Sequence, residues 1–73
     1  MTTVEQALFA KHKLRATLQR PGWLRGTGIA SDAQGHFIVV NVSEDLPEIR
    51  AQLPDVFEDV RVVVKVVGDI IAL

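Results

Sequence analysis

Few residues of this 73-residue chain have the types that carry out chemistry, and their spacing decides most cases. His12 and His36 are the only histidines, and there is no cysteine. A zinc site needs several N or S ligands at short, recurring spacing, and neither a His-x-x-x-His pair nor a carboxylate cluster occurs, so no metal and no cofactor is expected. Ser31, Asp32 and His36 have the residue types of a nucleophilic triad. A triad requires a buried carboxylate that orients a histidine against a nucleophile in a formed pocket. These three share one hairpin tip, where turn formation accounts for Ser and Asp more simply. Glu44–Asp45 and Glu58–Asp59 are adjacent carboxylates. Neighbours in extended chain point apart, and acid–base work needs burial to raise a carboxyl pKa, so capping and solubility are the expected roles. Gly26-Thr-Gly28 lacks the third glycine of a dinucleotide fingerprint and leads into a hairpin rather than a helix, which removes phosphate cradling. The chain reads as a non-enzyme.

The remaining functional candidates are surface groups. Residues 1–30 carry Lys11, Lys13, Arg15, Arg20 and Arg25 against Glu5, a balance of +4; residues 31–73 carry eight carboxylates against Arg50, Arg61 and Lys65, a balance of -5; together they give the net -1. Such polarity marks either a basic binding face or two halves that attract one another. The basic set, with Trp23 for stacking, is what nucleic-acid binding would use. The whole chain is slightly acidic, at a pI of about 6.0, where nucleic-acid-binding domains are usually basic. Phe9 and Val63 are apolar side chains that the expected core leaves without a place. The candidate partner-binding residues are therefore Phe9, Lys11, Lys13, Arg15, Arg20, Trp23, Arg25 and Val63.

These residues are positioned by five expected elements. Thr3, with Gln6 three residues on, is a capping box that opens a helix over Val4 to Gln19. Its apolar stripe is Val4, Ala7, Leu8, Leu14 and Leu18, with Lys11 laid along it. Pro21 and Gly22 end it. Leu24 to Ala30 is a strand whose two glycines share one face, as a helix crossing that face would require. Ser31 to Gly35 turns the chain, with Asp32 closing the turn and Gly35 taking a positive φ, and His36 to Val42 returns antiparallel. Asp45 and Glu48, with Pro47 in the first turn, open a short helix that stops before Pro54. Asp55 to Asp59 is an acidic connection. Val60 to Val67 is a strand with Val60, Val62, Val64 and Val66 on one face and Arg61, Val63, Lys65 and Val67 on the other. Ile70 to Leu73 is apolar enough to dock, as a short extra strand. The glycine strand is expected in the middle, antiparallel to both neighbours.

The resulting expectation is one α+β domain spanning residues 1–73. Its order is helix-strand-strand-helix-strand, with a three- or four-stranded, mostly antiparallel sheet and helices on one face. A chain this short has a marginal core, and without disulfides its remaining support is a partner subunit. No signal peptide and no run near 20 apolar residues is visible, so a cytoplasmic protein off the membrane is expected.

From Gly22 onward the chain resembles a short bacterial segment of unknown function. The resemblance rests on Gly26-Thr-Gly28-Ile29, on Phe37-Ile-Val-Val-Asn-Val, on a Leu-Pro pair, and on the closing Gly68-Asp-Ile-Ile-Ala-Leu73. Similar segments stand ahead of trypsin-like peptidase domains, which implies a peptidase-associated role and carries over no catalytic residue. The element order is also similar to type II KH domains, without their Gly-x-x-Gly loop. The sequence thus points to a small non-enzymatic protein-interaction or regulatory module, binding a protein or a second copy of itself as a weak homodimer. The alternatives are a nucleic-acid-binding module that uses the basic N-terminal helix, and a peptidase-associated segment.

Overall fold

The structure, a computed structural model, describes residues 2–19 and 21–67. Arg20 and the Ile70 to Leu73 segment lie outside the described residues. The chain is α+β: α1 (Val4–Leu18), β1 (Leu24–Asp32), β2 (Gly35–Val42), α2 (Pro47–Gln52), β3 (Val56–Phe57) and β4 (Val60–Val66). The capping box forms as its residues dictate. Thr3 Oγ1 accepts from the Gln6 amide at 3.2 Å, and Gln6 Oε1 accepts from the Thr3 amide at 2.9 Å. At the other end Gln19 adopts the left-handed conformation, φ 57°, and closes the helix. The β1–β2 turn also forms as expected: Asp32 Oδ1 accepts from the Gln34 amide at 2.9 Å, and Gly35 takes φ 118°.

The sheet order is β1-β2-β4-β3. The glycine strand is thus at one edge, not in the middle. β2 is flanked by β1, antiparallel, and by β4, parallel, with Val39 beside Val63 and Val40 beside Val64. A strand–helix–strand crossover sets the two strands it joins parallel, and α2 makes that connection here. β2 is also the strand best suited to a central place, because Ile38, Val40 and Val42 are fully buried. The sheet is therefore mixed. β3 is an addition: Val56 and Phe57 pair with Arg61 and Val60 through a two-residue turn at Glu58 and Asp59. Both turn residues have positive φ, 52° and 63°, the backbone of a type I′ hairpin that usually draws Asn or Gly.

One cluster holds the core. Ala7, Ala10 and Leu14 of α1 meet Ile38, Val40 and Val42 of β2, Val60 and Val62 of β4, and Ile49 and Leu53 around α2. Both helices therefore cover the same side of the sheet. The buried stripe of α1 is centred on its alanines, which allow close approach of helix to sheet. Val4 and Leu8 fall on its flank and stay 39% exposed, contrary to the stripe read from hydrophobicity alone. Asp45 does not cap α2: Leu46 is the N-cap and makes no side-chain bond. The Asp45 carboxylate instead takes Arg50 in a two-pronged pair at 2.8 and 3.2 Å.

Candidate functional site

Among the described residues the basic set does not gather into one surface. Lys11 and Lys13 are two residues apart, about 200° around a helix, and so stand on different sides of α1. Lys13 Nζ lies 3.3 Å from Glu58 Oε1 at the β3–β4 turn and 5.4 Å from the Phe9 ring. Phe9 projects from the side opposite the buried stripe and is 61% exposed. Lys11 is half-buried along the core and Arg15 is exposed. Arg25 is the bulged residue of β1, where the register shifts between Leu24 and Gly26, and its Nη1 donates to the Gly22 carbonyl at 2.7 Å. Trp23 is a rim aromatic, half-buried against the core, and its carbonyl accepts from Ser43 at 2.9 Å.

Asp32 and His36, two residues of the triad reading, are engaged separately. Asp32 Oδ2 accepts from Arg61 Nη2 at 2.6 Å while Oδ1 holds the turn. His36 Nδ1 is 3.2 Å from the Thr2 carbonyl oxygen, and the His36 amide donates to the same oxygen at 3.1 Å. His36 thus ties the segment before α1 to the start of β2. Among the described residues no three His, Asp or Glu side chains converge on a metal position.

The surface that the fold does assemble is the side of the sheet without helices. Strand alternation and the observed register place three rows on it. Ala30 and Phe37 are cross-strand partners, with Arg61 next in line on β4; Gly28, Val39 and Val63 form the second row; Gly26, Asn41 and Lys65 form the third. The glycines thus face away from α1, and among the described residues no helix packs on them. A side chain at Gly28 would meet nothing within 4 Å, and one at Gly26 would meet only Asn41 Nδ2 at 3.8 Å. Val63, one of the candidate partner-binding residues, sits in the middle row, 37% exposed. Phe37 and Val39 beside it are half-buried.

Charge lies at the margins of this face. The Arg61 guanidinium stacks 4.5 Å above the Phe37 ring centroid and reaches on to Asp32. That hydrogen bond, helped by the Gln34 amide, holds the Asp32 carboxyl below the ordinary 3.8. Lys65 is exposed at the opposite end. Two glycines beside a Phe-Val-Val patch are visible in the sequence, but only the strand order brings them to one surface.

Among the described residues no helix is long and apolar enough to cross a membrane. No protein-family model, curated protein or solved structure matches the chain.

Proposed function

We propose that this chain is a small, non-enzymatic protein-interaction module of the cytoplasm that docks a protein on the helix-free face of its sheet. The observation that carries the reading is the middle of that face. Gly28, Val39 and Val63 make an uncharged row, and Arg61 and Lys65 stand at either end. Depletion of charge at the centre with a polar rim is the usual anatomy of a protein interface. The cysteine-free composition suits a reducing compartment. The nucleic-acid alternative has less support, because Lys13 is neutralised by Glu58 and stands apart from Lys11. The peptidase-associated alternative rests on the resemblance alone.

A photoreactive amino acid placed at position 63 tests the reading in the cells that make the protein. Discrete crosslinked protein species are expected from position 63 and not from position 5, on the solvent side of α1. Equal labelling from both positions, or none from either, would end the proposal. Salt-dependent retention of the wild-type protein on DNA or RNA would transfer the function to nucleic acid.

A further inference from the structure

β1 is a long outer strand, and the hairpin register decides where its backbone groups point. The His36 amide is turned away from β1, to Thr2, and the Val42 carbonyl is turned the same way, to Val67. Residues 38 and 40 between them bond in that direction too, toward β4. Opposite residues 36, 38 and 40 stand Ser31, Ile29 and Thr27, whose own amides and carbonyls therefore point outward from the sheet. Among the described residues no strand pairs with this edge. Sheet edges are usually guarded by charge, proline, a bulge or a cover. Gly26 to Ser31 contains no charged residue and no proline, and the bulge at Arg25 lies before it.

The helix flank beside this edge is basic. Ala7, Ala10 and Leu14 face the sheet, and Lys13 reaches Glu58 on the β4 side. At about 100° per residue, the flank opposite Lys13 carries Val4, Leu8, Lys11 and Arg15 and overlooks β1. Among the described residues no ion pair holds Lys11 or Arg15, whereas Lys13, Arg50 and Arg61 each have a carboxylate.

From the open edge and the basic flank together we propose that β1 accepts an extended, acidic segment of a partner protein as an added antiparallel strand. Hydrogen bonds to the backbone of Thr27, Ile29 and Ser31 attach it. Residues that bond directly across an antiparallel pair share a face with their partners. The side chains opposite Thr27 and Ile29 thus lie on the helix side, where Lys11 and Arg15 take carboxylates. Strand addition draws its affinity from the main chain and its selectivity from alternate side chains. The intervening side chains lie beside Gly26 and Gly28, where there is room for them. Charge argues against a second copy of this chain as the occupant, because pairing β1 with β1 about a twofold would set two basic flanks side by side. This edge is separate from the helix-free face, and either can bind without the other.

The probe is a peptide of alternating valine and glutamate, blocked at both ends, titrated into the isotope-labelled whole chain at low salt while amide shifts are followed. Shifts should centre on Thr27, Ile29, Ser31, Lys11 and Arg15, with a dissociation constant below about 1 mM. Lysine in place of glutamate should weaken binding at least about tenfold. N-methylation of the glutamates, whose amides face β1, should do the same, and N-methylation of the valines should not. Lys11→Gln with Arg15→Gln should weaken binding of the acidic peptide, and Lys13→Gln, on the other flank, should leave it unchanged. Thr27→Pro removes only an outward amide and should block addition. Circular dichroism checks each fold, and the double variant decides alone if Thr27→Pro does not fold. No shift up to about 2 mM peptide, equal binding of the lysine peptide, or shifts centred on Val63 would overturn the proposal. Equal binding of the two methylated peptides would overturn it as well, because the basic flank would then bind acid without strand addition.

Discussion

At the scale of single residues, two side chains have environments that make direct predictions. Thr27 lies on the helix side of β1, opposite Val40, and its hydroxyl oxygen is buried with no hydrogen-bond partner. An unmet buried hydroxyl costs about 1–3 kcal/mol, and an apolar group of the same shape removes that cost. Thr27→Val should therefore stabilise the chain by about 1 kcal/mol in urea unfolding, and a loss of stability would mean that the hydroxyl is satisfied. Asp32 is the second case. Its carboxyl is held below 3.8 by Arg61 and then by the Gln34 amide. A carboxyl lowered on folding contributes stability that is complete above its unfolded value and is lost as pH falls through its folded one. Its carbon resonance should titrate below 3.8, and Arg61→Gln should move the midpoint up. An unmoved midpoint would show that the turn amide alone sets it. The glycine pair shows what the residue scale conceals. Two glycines on one strand face announce that something lies close, and the sequence suggests a helix. Among the described residues no helix covers them, because a period of two says which residues share a face but not which face the helices take.

At the scale of elements, legibility followed the strength of local chemistry. Thr3 and Gln6 fixed the start of α1, and Asp32 with Gly35 fixed the first hairpin, because each signal is completed within four residues. β3 escaped because its turn is Glu58-Asp59, with neither Asn nor Gly to mark it. That turn holds two non-glycine residues at positive φ. Asp59→Gly should relieve the strain at φ 63° and stabilise the β3–β4 hairpin by about 1 kcal/mol. Thermal unfolding reads this directly, and a lowered midpoint would show that the chain entropy added by glycine outweighs the relief. Asp45 shows the opposite error. It has the right type and position for a cap, yet an arginine five residues on offers a two-pronged partner. Such competition is settled by side-chain reach, which spacing alone does not display. The candidate face is a third case: its residues were legible, but their assembly depended on β2 and not β1 being central.

At the scale of the whole molecule, the ion pair between Lys13 and Glu58 joins the basic first half to the acidic second half. Both side chains are about half exposed, so the pair contributes at most tenths of a kcal/mol and the core must carry the fold. That core is small. A chain of this length has roughly 4–11 kcal/mol of stability at the usual value per residue. Leu14, 1% exposed, is among its largest buried side chains. Leu14→Ala should cost about 2–5 kcal/mol and leave a fold that melts near ambient temperature. A shift of only a few degrees would show that the site collapses around the smaller residue. The parallel seam between β2 and β4 has a further consequence, in the order of events during folding. α1, β1 and β2 are contiguous and can come together through short-range contacts, whereas residues 38–42 find their second neighbours only in residues 62–66. Until that seam closes during folding, β2 is half paired, with one row of amides and carbonyls free for whatever reaches it first. Contacts of long sequence separation are the slow step of folding. The strand that ends among the most protected in the molecule is thus the one left with an open edge until the last long-range contact of folding is made.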